Sequence, residues 1–165
     1  MRFDKKNKKV FRGSIFIPFS LNKYNNYLKS FENFLQNTPN KFLNSLKVRV
    51  HPLNKLSIVH QNFSKEINNL IKKYKKKFSK NNKNLCIFFG SATGVCVQAL
   101  EEGNEIIHFP LNNTLDVFSS KIWKNLRVNE IKEGIFKYKI LIKGKMFYTT
   151  YEKNKFQKYF LPILK

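Results

Sequence analysis

The stretch LCIFFGSATGVCVQALEEGNEIIHFP, residues 85–110, constrains the fold more than any other part of the chain. It opens on one apolar run, LCIFFG, and closes on a second, EIIHFP. Such continuous apolarity predicts strands buried on both faces. The segment between them, Thr93 to Glu102, turns Val95, Val97, Ala99 and Leu100 to one side and stops at Gly103, as a short helix does. Strand, helix and strand in so few residues predict a crossover between two parallel strands.

The preceding residues alternate in the same way. SIFIPFSL at 14–21 and LKVRVHP at 46–52 predict two more strands, the second closed by Pro52. Between them Asn22 can cap a segment in which Tyr24, Tyr27, Leu28, Phe31, Phe34 and Leu35 recur at helical spacing, ending near Thr38-Pro39. Phe63, Ile67, Leu70, Ile71, Tyr74 and Phe78 mark a second helix. The expected fold class is therefore α/β: a Rossmann-like, mainly parallel sheet with flanking helices and right-handed crossovers.

Beyond Pro110 the pattern loosens. LDVFSSKIWKNL predicts a short helix carrying Trp123. IFKYKILI and MFYTTY flank Lys143-Gly144-Lys145, which predicts a hairpin turning at that glycine. KNKFQKYFLPILK predicts a last helix docked by Phe156, Tyr159 and Phe160. The whole reads as a single domain over residues 1–165, with a core at 14–110 and a hairpin and helix extension at 111–165.

In an open parallel sheet, ligands bind beyond the carboxyl ends of the strands. Gly90-Ser91-Ala92-Thr93-Gly94 falls at such a place. Glycine lets the backbone approach a ligand, the Ser and Thr hydroxyls can bond phosphate oxygens, and the first turn of the following helix adds free N–H groups. A tight turn with a Ser/Thr helix cap explains the same residues without any ligand. Arg49-Val50-His51-Pro52 ends the preceding strand and so belongs to the same sheet edge. His51 can bond a phosphate and Arg49 can offer a two-pronged fork, with Pro52 fixing the backbone behind them.

The net charge of +22, from 32 Lys and Arg against 10 Asp and Glu, suggests a polyanionic partner. Lysine supplies most of that charge and travels with abundant Asn, Ile and Phe, as codon bias in an AT-rich genome would produce. The lysines are scattered, and the densest run, KKYKKKFSKNNK at 72–83, reads as the solvated side and end of a helix. Nucleic acid is therefore a disfavoured partner, while peripheral attraction to an anionic membrane stays open. No apolar run reaches the roughly 18–20 residues of a membrane span, and MRFDKKNKKVFRG lacks the apolar stretch of a signal peptide, so a cytoplasmic location is expected. Cys86 and Cys96 have no CxxC spacing and no clustered histidines, so buried reduced thiols are expected, with no metal and no cofactor.

The order strand, Arg49-x-His51-Pro52, helix, strand, Gly90-Ser91-x-Thr93-(x)5-Ala99-Leu100-(x)2-Gly103, strand is similar to the C-terminal half of two-domain (GT-B) glycosyltransferases. Within that group it resembles bacterial sialyltransferases and the capsule and surface-carbohydrate transferases that use CMP-activated sugars. The resemblance covers about residues 14–110. It implies a donor-nucleotide-binding domain in which Arg49, His51, Pro52, Gly90, Ser91, Thr93 and Gly94 surround the donor phosphate. It also implies that Gln98, where many relatives carry glutamate, and Ala99 help form the nucleotide pocket. The family's acid–base carboxylate lies in a separate N-terminal domain. The resemblance therefore implies a donor-binding half, catalytically silent or weak by itself, that meets its glycan acceptor through another domain or partner chain.

Two other readings fit the residues. The chain can be a non-catalytic module that captures a nucleotide or other phosphate compound. It can also be a basic nucleic-acid-binding protein that stacks bases on its many Phe and Tyr side chains, although it carries no recognisable RNA-binding motif.

Overall fold

A computed structural model describes residues 11–37, 46–74, 84–91, 93–110, 120 and 123–142. The described chain is an α/β fold. Its elements run β1 (Ser14–Phe16), α1 (Asn25–Asn37), β2 (Lys47–Arg49), a 3₁₀ turn (Pro52–Asn54), α2 (Ile58–Tyr74), β3 (Leu85–Phe89), α3 (Gly94–Glu101), β4 (Glu105–Phe109), β5 (Leu126–Lys132) and β6 (Ile135–Ile140). All six strands form one sheet in the order β2-β1-β3-β4-β6-β5. The first four pair in parallel, whereas β6 is antiparallel to both β4 and β5. The sheet is thus mixed.

The antiparallel pair departs from the expected hairpin. IFKYKILI forms the second arm, and its partner is the preceding segment, LRVNEIK. The turn falls at Gly134, whose φ of 69° suits a residue without a Cβ. Charge alternation along the 126–132 segment hid its apolar face, because only Leu126 there is fully buried. The expected hairpin arm MFYTTY, the terminal helix and most of the LDVFSSKIWKNL segment lie outside the described residues. The end of that segment is not the expected helix: Trp123 leads into a turn at Lys124-Asn125, closed by the Leu126 amide on the Trp123 carbonyl, and Leu126 opens β5.

Strand alternation divides the core into two layers. Ile15, Ile17, Ile87, Phe89, Ile107 and Phe109 point to one face, where α1 and α2 bury Tyr27, Phe31, Phe34, Phe63 and Ile67 against them. Phe89 and Phe109 stack at 5.0 Å, with Phe31 edge-on to both, so aromatic packing as well as burial holds this layer. Cys86, Phe88, Ile106 and Tyr138 point to the other face, which α3 covers through Cys96, Ala99 and Leu100.

The placement of the helices departs from uniform right-handedness. The chain steps from β1 to β2 in one direction across the sheet and from β2 to β3 in the other. Two crossovers of the same hand would then put α1 and α2 on opposite faces. Both helices pack on the same face, and α1 bonds to α2 through Gln36 and Tyr74. Judged by the faces their helices take, the two crossovers differ in hand. Among the described residues, the α3 face over β1 and β2 consequently carries no helix, and a cleft lies there.

Candidate functional site

The cleft, about 1140 Å³, opens where the strand order reverses, at the carboxyl ends of β1, β2 and β3. Phe11, Phe16 and Phe88 form its apolar floor. Phe16 stacks on Phe88 at 4.4 Å and 13°, and Phe11 tilts against Phe16 at 5.6 Å. The rim is polar and basic, with Arg49, His51, Lys55, Ser91 and Thr93. No carboxylate from the described residues lines it.

Each rim residue is held by its own element. Arg49 ends β2 on the open face and donates from Nε to Ser14 Oγ at 2.6 Å, which aligns the guanidinium along the sheet. His51 caps the 3₁₀ turn: its Nδ1 accepts the Leu53 N–H at 3.3 Å, with Pro52 at the first position of the turn. Because Nδ1 is the acceptor, the neutral ring carries its hydrogen on Nε2, a donor edge. Phe19 holds the ring edge-on at 5.0 Å.

The turn after β3 depends on glycine. Gly90 has φ +85°, and a Cβ there would sit 2.9 Å from Pro18 Cβ and 3.2 Å from the Tyr27 hydroxyl. The Gly90 amide donates to Phe109 O, and its carbonyl accepts from His108 Nε2 at 2.5 Å. His108 is buried and its Nδ1 meets the Tyr138 hydroxyl at 3.1 Å. A carbonyl can only accept, so Nε2 carries hydrogen, and in the neutral ring Nδ1 accepts from the tyrosine. Thr93 occupies the N-cap position of α3 in extended conformation, yet its hydroxyl makes no capping bond. Instead Thr93 bonds the Cys96 thiol, whose burial pushes it up to about 12. Position 92 lies outside the described residues.

The structure brings Arg49, His51, Pro52, Gly90, Ser91 and Thr93 to one cleft. Gly94 begins α3 just outside the lining. Gln98 is exposed on the outer side of α3, and Ala99 is fully buried beneath the same helix, so neither lines the cleft. Leu100 is buried in the core beside Ala99.

Three contributors escape sequence reasoning. Tyr27 belongs to a helical stripe that reads as core, and it is 96% buried, but it also lines the cleft. Its hydroxyl has no hydrogen-bond partner among the described residues, and burial raises it to about 12, so it stays a donor. The signal for it is positional: α1 leaves the same sheet edge as β1, so its first turn faces the cleft. His60, at the start of α2, sends Nε2 to the carbonyls of Pro18 and Phe19 while Nδ1 meets Ser57 Oγ. With His51 and His108, all three histidines brace a loop at the carboxyl edge of the sheet. Lys55 follows the 3₁₀ turn and completes the basic rim.

Cys86 and Cys96 are free, buried thiols, and no group of three or more His, Cys, Asp or Glu among the described residues could hold a metal ion. No helix of the described residues is long and apolar enough to cross a membrane. Comparison of the chain with protein-family models, with curated proteins and with solved structures finds no match in any of the three. Fold and site define a class: an α/β fold with a basic cleft, lined by no carboxylate of the described residues, at the point where its strand order reverses.

Proposed function

We propose that the cleft binds the phosphate of a nucleotide, and that the chain is the donor-binding half of a GT-B-type glycosyltransferase using a CMP-activated or related sugar. One observation carries the phosphate part: Arg49, His51 and Lys55 meet the Gly90–Thr93 turn around a cleft that no carboxylate of the described residues lines. An anion there gains a guanidinium, an imidazole N–H, two hydroxyls and the first amides of α3. The aromatic floor suits a flat base. Four parallel strands in the order β2-β1-β3-β4 are compatible with a Rossmann-like domain. The cytidine part rests on the Arg-x-His-Pro and Gly-Ser-x-Thr resemblance.

In sugar transfer the nucleotide leaves as a phosphate, and negative charge grows on the oxygen that parts from the sugar. Arg49 and the His51 Nε2–H would stabilise that charge. Activation of the acceptor hydroxyl needs a general base, worth about 10²–10⁴-fold in rate, and His51 in the role of phosphate donor cannot also take that proton. The chain alone is therefore expected to bind donor without transferring sugar. The same lack of a lining carboxylate favours a second reading, a phosphate-binding module with no chemistry.

Calorimetry tests both. The transferase reading expects CMP to bind more tightly than AMP, with affinity lost in Arg49→Ala and Ser91→Ala. Equal binding of CMP and AMP would leave a phosphate module. Absence of binding by either nucleotide would refute the proposal.

A further inference from the structure

The loops at the cleft's mouth carry apolar side chains that point into water. Phe19 is 55% exposed, Leu53 79%, Leu56 90% and Ile58 71%. They belong to one tied structure. Asn54 Nδ2 donates to the Phe19 carbonyl at 2.6 Å, His60 Nε2 bonds the carbonyls of Pro18 and Phe19, and the Phe19 ring sits edge-on to His51. Gln61 Nε2 adds a bond to Lys55 O. Pro18 and Pro52 fix the backbone on both sides. Four large apolar groups are thus presented by braced loops, where exposure costs the chain hydration free energy without any internal return.

Charge says what covers them. The two loops, residues 17–24 and 50–61, contain no Asp or Glu and carry Lys23 and Lys55. A second copy of the chain would bring another +22 charge to the contact. Four side chains are also few beside the roughly 20–30 residues that each partner of a standard protein interface contributes. A surface that is apolar within and anionic at its boundary fits both features.

The geometry points to an anionic bilayer as the partner of this edge: Phe19, Leu53, Leu56 and Ile58 enter the headgroup layer while the surrounding cations meet anionic lipid. In that pose the mouth of the cleft faces the membrane. The inference holds whatever the cleft binds, because the apolar residues it rests on, apart from Phe19, lie outside the cleft lining.

Sedimentation with vesicles of phosphatidylcholine, with and without about one-third phosphatidylglycerol, tests it. Binding is expected only with the anionic lipid, weakening as salt rises. Leu53→Ser/Leu56→Ser keeps every charge and changes two exposed residues, so the fold should hold, as circular dichroism would verify. Its partition coefficient should drop at least tenfold. Leu56→Trp should shift its fluorescence to the blue and be quenched by brominated lipid. Unchanged partition of the serine variant would overturn the inference, because diffuse charge alone would then explain adhesion. So would failure to bind anionic vesicles, or a dimer seen by analytical ultracentrifugation that the serine variant abolishes.

Discussion

Gly90→Ala is the sharpest probe of the turn. At φ +85° an L-residue carries a Cβ clash with its own backbone, a cost of about 1–2 kcal/mol. The added carbon would also press on Pro18, 2.9 Å from Cβ and 3.0 Å from Cγ. That ring cannot swing away, and Pro18's carbonyl is held by His60. Moving it adds roughly 1–2 kcal/mol of overpacking strain. The sum, about 2–4 kcal/mol, is a large part of the ~5–15 kcal/mol that holds a domain folded. Gly94→Ala is the control, since a Cβ there meets nothing within 4 Å and the residue starts α3 at negative φ. It should be neutral or more stable by up to about 1 kcal/mol. Urea unfolding with a shared m-value measures both. Equal stabilities of the two variants would refute the geometry assigned to the turn, although the sequence alone presents both glycines as equivalent.

Three further outcomes follow from the braces around the cleft. His108→Ala leaves the buried Gly90 carbonyl and Tyr138 hydroxyl without the ring between them, and should cost about 2–4 kcal/mol in urea unfolding; a loss under 1 kcal/mol would show that His108 does not brace the turn. Tyr27→Phe removes a hydroxyl without a partner among the described residues, so its stability should stay within about 1 kcal/mol of wild type while nucleotide affinity falls severalfold; unchanged affinity would take Tyr27 out of the site. Burial lifts both thiols from 9.0 to about 12. Between those values the folded chain holds protons that the unfolded chain releases, so their contribution to stability falls as pH rises through that window. Compared with Cys86→Ala/Cys96→Ala, the wild type should lose ground in urea unfolding from about pH 9 upward; a constant gap would contradict the burial.

The parallel core was legible because Leu85–Phe89 and Glu105–Phe109 are short, apolar and separated by a Gly-bounded helix. These features leave few alternatives to a βαβ unit. The helical stripe of α1 and the ends of β2 and β3 were legible for the same reason. What escaped was relational. Periodicity shows that Phe63 and Ile67 face inward but cannot say which face of the sheet they meet, and that choice leaves the opposite face over β1 and β2 open. Tyr27 shares its spacing with residues that only pack, and only the register of α1 against β3 shows its hydroxyl at the cleft. His60 and His108 could not be placed from sequence, because the loops that they brace are reached through backbone carbonyls at distant positions, 41–42 and 18 residues away. The 126–132 strand was hidden by Asn129, Glu130 and Lys132, which leave it little apolar pattern.

The central claim is that a phosphate sits between the end of β2 and the turn after β3. Amide chemical-shift mapping with CMP, and separately with inorganic pyrophosphate, tests it most directly. The account predicts saturable shifts at the amides of Ser91, Thr93, Gly94 and Val95 and at the side chains of Arg49 and His51, all lost in Arg49→Ala. Shifts confined to scattered surface lysines, or clustered at the opposite edge of the sheet near Asn84 and Glu105, would contradict it.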